Sequence, residues 1–205
     1  MTFGSWFNEP LLRLDSNQSI VVTVMLLGTE GSPMSDPGTY SATERLRDGR
    51  EVEIRALRPD DRDDLLAAVG RTGAQSLQRR FFVTKRSFSD KEIDFFTKID
   101  FASHGALVAL AEEDGRKVII GGGRCIITEP GKAEIAFLVI DDYQGQGLGS
   151  LLMHHLALIA RKAGLTELVA EVLPENTAMR KVFSKFGFQA RRGPDPQVVH
   201  LVLEL

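Results

Sequence analysis

Ala133-Glu134-Ile135-Ala136-Phe137-Leu138-Val139-Ile140-Asp141-Asp142-Tyr143-Gln144-Gly145-Gln146-Gly147-Leu148-Gly149-Ser150-Leu151-Leu152 is the stretch that decides the fold. It predicts a buried strand, a glycine-rich turn and then an amphipathic helix, with Leu148, Leu151, Leu152, Leu156 and Ile159 on one face. At such a junction several backbone N–H groups converge on one spot with the positive end of the helix dipole behind them. That arrangement receives a phosphate anion. Glu134, a carboxylate, lies in the strand that feeds the turn. Anion cradle and candidate base are therefore one strand-length apart, which suits chemistry on a phosphorylated carrier.

Outward from this junction the pattern is of alternating strands and helices. Upstream, Glu51 to Leu57 alternates as a strand, and Pro59 with Asp60, Asp61, Asp63 and Asp64 opens a helix, with acids at its positive end. Ser89-Asp90-Lys91-Glu92 is a capping box before the apolar positions Ile93, Phe95, Phe96 and Ile99. Ala106 to Ala111 and Val118 to Thr128 are strands joined by Glu113-Asp114-Gly115-Arg116, and a second turn leads into Ala133 to Ile140, giving an antiparallel meander. Downstream, the helix ends near Gly164. A strand, Leu165 to Leu173, stops at Pro174, a helix runs from Asn176 to Phe186, and Val198 to Leu205 is a last strand. The first 45 residues lack a helical period, and Gly28 to Ser41 has linker composition, so residues 1–45 are expected as an extension without chemistry and 46–205 as the working domain.

Composition narrows the function. The chain has 205 residues, 43% of them hydrophobic, enough for one domain with a sizeable core. A net charge of −3 offers no global field for nucleic acid or an anionic membrane, and the pairs Arg79-Arg80, Lys85-Arg86 and Arg191-Arg192 are interspersed with acids. The single cysteine, Cys125, excludes an internal disulfide framework and fits a cytoplasmic, reducing setting. It sits in an apolar strand as a small core residue. No stretch reaches membrane-span length, and the short run Ile20 to Leu27 lacks the flanks of a signal peptide. His154 and His155 are adjacent on a helix and so face different ways, while His104 and His200 stand alone; no metal is expected.

The glycine turn is not a Walker loop, since no Gly-Lys-Ser/Thr follows, nor is it part of a dinucleotide-binding repeat. Three features beside it are more specific. Gln144-x-x-Gly147-x-Gly149, the Glu134 strand before it, Asn176 after the next strand and the ending Phe186-Gly187-Phe188 together resemble the GNAT superfamily of acetyl-CoA-dependent N-acetyltransferases. The resemblance covers Val52 to Leu205. It implies an α/β (α+β) GNAT fold: a mixed, mostly antiparallel sheet of six to seven strands, splayed in the middle and flanked by four helices. It further implies that Leu138, Val139 and Ile140 pair with the pantetheine arm of acetyl-CoA beside a bulge. The pyrophosphate then rests on Gln144, Gly145, Gln146, Gly147, Leu148, Gly149 and Ser150, with Asn176 at the thioester end or as a helix cap.

Glu134 is the candidate general base, because a lysine amine with a pKa near 10.4 must lose a proton, at roughly 4 to 5 kcal/mol at neutral pH, before it attacks a thioester. Ala133 to Phe137 resembles the base-bearing strand of GNAT histone acetyltransferases; the structural alternative is a buried charge paired with an arginine such as Arg124. Glu171 is the second candidate. Many members carry a tyrosine where this chain has Phe183, which has no proton to give the departing thiolate. The region from Ser76 to Ala109 resembles the catalytic domain of bacterial Pat-type protein-lysine acetyltransferases. The acceptor this implies is a protein lysine, for example on an acyl-CoA ligase. The alternatives are a small amine (polyamine, aminoglycoside or amino acid) and a non-catalytic acetyl-CoA-binding module.

Overall fold

The computed structural model describes residues 37–82, 88–193 and 195–205. Of the sequence expectations, residues 1–36 and the pair Lys85-Arg86 lie outside them. Among the described residues the strands are β1 (Ser41–Arg45), β2 (Glu51–Ala56), β3 (His104–Glu113), β4 (Arg116–Glu129), β5 (Lys132–Val139), β6 (Glu167–Val172), β7 (Gln189–Arg191) and β8 (Val199–Glu204). The helices are α1 (Arg62–Gly70), α2 (Ala74–Phe81), α3 (Asp90–Thr97), α4 (Leu148–Lys162) and α5 (Thr177–Lys185). The strands form one sheet in the order β1-β2-β3-β4-β5-β6-β8-β7. Only β5 and β6 run parallel, with α4 as the crossover between them. The mixed, mostly antiparallel architecture is the expected class, with eight strands and five helices in place of six to seven and four.

Alternation along β5 places Ala133, Ile135 and Phe137 in the core on one face, against α4, whose Leu148, Leu152, Met153, Leu156 and Ala160 are buried. Gly123 on β4 makes this packing close: a Cβ there would lie 2.7 Å from Phe137 Cδ1 and 2.9 Å from Leu156 Cδ1. The opposite face of the sheet carries Glu134, Ala136 and Leu138 toward α1 and α2. The capping box forms as expected: Ser89 Oγ accepts from Glu92 N–H, and Glu92 Oε2 accepts from Ser89 N–H at 2.8 Å.

Three elements differ from the sequence expectation. Residues 41–45, placed at the end of the extension, are the edge strand β1, paired with β2 from Ser41↔Arg55 to Arg45↔Glu51. Every second side chain of β1 is exposed, so no apolar alternation marks it. Helix α2 starts at Gly73, which has no side chain to cap it, and β7 is three exposed residues long.

Beside β2, Arg55 and Asp61 form a bidentate pair, both contacts 2.7 Å, with side chains only 8% exposed; Arg58 N–H donates to the same carboxylate. Burial pushes the Asp61 carboxyl up, but Arg55 and the Arg58 N–H more than offset this and hold it below the usual carboxylate range. Asp61→Ala strands a buried guanidinium, and the expected loss of unfolding free energy is about 3–5 kcal/mol. Urea titration checks this; a loss under about 1 kcal/mol contradicts the pairing argument.

Candidate active site

The parallel pairing of β5 with β6 is brief. It covers Lys132↔Glu167, Ala133↔Leu168 and Glu134↔Val169, after which the two strands part. The bulge expected at the splay does not interrupt the pairing of β5 with β4, whose register is unbroken from Ala133↔Ile127 to Val139↔Gly121; the irregularity of that pair lies between Ile127 and Glu129 on β4. Backbone N–H of Ile140 donates to Ile120 O, so residues 140, 138, 136 and 134 turn their peptide groups toward β4. Phe137 and Val139 turn theirs into the gap. This corrects the expected trio: the outward-facing backbone is that of Phe137 and Val139, not of Leu138 and Ile140. Ile140 is also 1% exposed.

At the end of the gap, a short 3-10 turn (Asp141–Tyr143) leads to the glycine corner. Gly145 has φ +76° and Gly147 φ +92°, conformations that L side chains rarely take. Gln144 N–H is engaged by Asp141 O and Ser150 N–H by Gly147 O. Between them, among the described residues, the N–H groups of Gly145, Gln146, Gly147, Leu148 and Gly149 donate to no protein acceptor. These five unengaged donors at the N-terminus of α4 are suited to receive an anion. Gln144 braces the corner from behind, its Nε2 donating to Val139 O at 3.1 Å and to Ser76 Oγ and Asp141 Oδ1 at 3.0 Å each. Arg47 supports the corner from the β1–β2 turn. Its N–H donates to Gln146 O at 3.0 Å and its Nη1 to Gly145 O at 3.3 Å. Nothing in the sequence near Arg47 signals that contact, which the β1–β2 pairing creates.

Glu134 sits where the strands begin to part. Its Oε1 is buried without a hydrogen-bond partner among the described residues. Burial, then the charge of Glu171, pushes its carboxyl up to about 7, partly opposed by Arg80. Glu171 shares this face because Val169, two residues earlier, is the register partner of Glu134. His200, isolated in sequence, is the register partner of Glu171, with Nδ1 3.9 Å from Glu171 Oε1. The cation near Glu134 is thus Arg80, at the end of α2, and not Arg124. The reason is register: Ile126 stands opposite Glu134, and Arg124 opposite Ala136. A buried acid titrating near neutrality with an unfilled acceptor oxygen is suited to proton abstraction.

Other expected residues have structural duties. Asn176 caps α5, its Oδ1 accepting from Met179 N–H at 3.3 Å. Phe183 is buried among Phe137 and Phe188, ring centroids 5.8 and 4.7 Å away, and offers no proton. Burial pushes the Cys125 thiol up to about 12, which suits a core residue. His154 is exposed and His155 buried, where it bonds Glu44 and Tyr40. Among the described residues no cluster of three or more His, Cys, Asp or Glu has metal-holding geometry, and no helix is long and apolar enough to cross a membrane.

The model of the acetyltransferase (GNAT) family matches residues 73–188, and the chain belongs to that family: it is a GNAT acetyltransferase. It is 36% identical over 160 residues to the Pseudomonas aeruginosa protein named Acetyltransferase PA5475, covering 77% of this chain and 86% of that one. It is 30% identical over 145 residues to Acetyltransferase Pat of Mycolicibacterium smegmatis, covering 70% of this chain and 43% of Pat, so it spans less than half of that protein. Among solved structures, the GNAT domain of S. lividans PAT superposes with a TM-score of 0.75 at 32% identity, covering 85% of this chain and all of that domain.

Proposed function

We propose that this acetyltransferase moves the acetyl group of acetyl-CoA directly onto the side-chain amine of a protein lysine, for example on an acyl-CoA ligase. The observation that carries the mechanism is Glu134, a buried carboxylate with one unfilled oxygen, set one strand-length from five unengaged N–H groups. In this reading the diphosphate of coenzyme A lies on the Gly145–Gly149 donors. The pantetheine arm adds to the edge of β5 at Phe137 and Val139, as a peptide adds to a sheet edge, taking the place of Gln144 Nε2 wherever it pairs with Val139 O. Val139 N–H faces the gap and polarises the thioester carbonyl. Glu134 takes the amine proton, directly or through a water, while burial and then the charge of Glu171 keep its affinity for that proton high. The amine nitrogen bonds to the acyl carbon, the C–S bond breaks, and the thiolate leaves and is protonated from solvent, since Phe183 cannot supply a proton.

The lysine acceptor is supported by the two Pat relatives and by the segment from Ser76 to Ala109. Incubation with labelled acetyl-CoA, purified acyl-CoA ligases and a panel of small amines tests it. Label in protein is the expected result; label only in small amines overturns the lysine reading. The catalytic unit is taken to need nothing from the first 33 residues, since residues 36–205 form one compact unit. Deleting residues 1–33 is expected to leave turnover within about twofold, and a large loss contradicts that assignment. The single, half-buried Cys125 is consistent with a cytoplasmic setting.

A further inference from the structure

Three of the five unengaged N–H groups at the glycine corner precede α4. The helix begins at Leu148, so its own geometry directs the amides of Leu148 and Gly149. Those of Gly145, Gln146 and Gly147 lie ahead of it, where Gly145 and Gly147 both hold positive φ. Glycine samples more backbone conformations than any other residue. A glycine segment whose donors must be ordered as the ligand arrives loses affinity to that ordering. A contact from outside the corner can hold them in advance.

Arg47 holds two of the three. Its Nη1 donates to Gly145 O at 3.3 Å and its backbone N–H to Gln146 O at 3.0 Å. In a trans peptide the C=O of one residue and the N–H of the next point in opposite directions. Gly145 O shares its peptide plane with Gln146 N–H, and Gln146 O shares its plane with Gly147 N–H. With both carbonyls drawn toward Arg47, both N–H groups point away from it. One residue thus aims two donors, the first with its side chain and the second with its main chain. A charged guanidinium on the first carbonyl also polarises that peptide and strengthens its N–H as a donor.

The turn that carries Arg47 is itself fixed. Leu46 is buried at its base, Leu46 N–H donates to Arg50 O at 2.8 Å, and Gly49 N–H donates to Leu46 O at 3.0 Å. The Asp48 carboxylate accepts from Arg50 N–H at 3.0 Å and from Arg50 Nε at 2.8 Å. The Arg50 guanidinium carbon stands 4.1 Å over the ring of Tyr143, a buried residue just ahead of the corner. Tyr143 O–H in turn donates to Glu113 Oε1 at 2.9 Å. The β1–β2 turn therefore meets the chain at Tyr143 and again at Gly145 and Gln146.

We propose that the β1–β2 turn is a clamp for the diphosphate site, with Arg47 as a positioning residue that aligns the Gln146 and Gly147 amides and so sets the preference for acyl donors that carry a diphosphate. The inference rests on the acyl-transfer reading above and adds to it a residue from outside the strand, corner and helix. Arg47 acts through the peptide groups and takes no part in the bond changes at the thioester.

Three acetyl donors test this on the purified protein, with the acceptor that takes label in the incubation above. They are acetyl-CoA, acetyl-dephospho-CoA, which lacks only the 3′-phosphate, and S-acetylpantetheine, which lacks the diphosphate and the nucleoside. Arg47→Met is expected to lower kcat/KM about tenfold for both diphosphate donors, with the loss appearing in KM. The value for S-acetylpantetheine should stay within about twofold of the parent's. Arg47→Lys keeps a charged donor and should recover part of the loss. Arg47 is exposed, so the variants are expected to fold, and their Tm is measured alongside. An equal loss with all three donors means general damage and overturns the clamp, as do parental values with all three. A loss confined to acetyl-CoA means that Arg47 grips the 3′-phosphate itself, and this too overturns the clamp. No transfer by the unaltered protein from any donor overturns the acyl-transfer reading instead. Calorimetry then decides the clamp: about tenfold weaker binding of both acetyl-CoA and acetyl-dephospho-CoA by Arg47→Met upholds it, and unchanged binding overturns it.

Discussion

Replacing Glu134 with Gln is expected to lower turnover by about a hundredfold or more while acetyl-CoA affinity, measured by calorimetry, stays as it was. The substitution keeps shape and removes only the proton acceptor. The pH profile adds a second reading. In the proposed mechanism Glu134 acts as a carboxylate, and its carboxyl is pushed up to about 7 by burial and Glu171, so the rate of the unaltered enzyme is expected to fall as pH drops below that value. Glu134→Gln should lose that inflection. The same shift predicts a gain in stability for the variant. A carboxyl whose folded-state pKa is raised favours the folded state at low pH, and the advantage is lost as pH rises from about 4.5 through about 7. At pH 8 the buried carboxylate is therefore a liability of at most about 3 kcal/mol that Gln removes. A higher Tm for the variant at pH 8, shrinking toward pH 4, is the expected pattern. Parental turnover in the variant would shift the base to Glu171.

Gly147→Glu is the second large effect. It should abolish acetyl-CoA binding by adding bulk and negative charge at the glycine corner, where a Cβ would lie 3.6 Å from Arg47 Cγ and Nε. Gly147 also holds φ +92°, so any side chain strains the backbone by about 1–2 kcal/mol. Gly147→Ala carries that strain without the charge and should bind more weakly than the parent but better than Gly147→Glu. Equal calorimetric affinity for all three proteins contradicts the cradle.

The strand, glycine corner and helix that build the site were legible because each has its own local physics. Apolar alternation marks β5, a 3.6-residue period marks α4, and glycines stand where the chain takes positive φ. The Ser89 capping box and the turns of the meander were legible for the same reason. What escaped depends on pairings between distant residues. Edge strand β1 alternates between exposed and half-buried side chains, and α2 begins at an uncapped glycine. The phase of hydrogen bonding between β4 and β5 selects Phe137 and Val139 as the outward-facing residues, and no local pattern encodes that phase. The same register separates Arg124 from Glu134 and leaves Arg80, from another element, as the nearby cation. Arg47 reaches the corner only because β1 and β2 pair.

A crystal structure with a non-hydrolysable acetyl-CoA analogue tests the account most directly. The expected result has the diphosphate within hydrogen-bond reach of the Gly145–Gly149 amides, the pantetheine along Phe137 and Val139, and the acyl carbonyl on the side of the gap that Glu134 faces. A diphosphate bound elsewhere, or an acyl group on the far side of the sheet from that carboxylate, contradicts it.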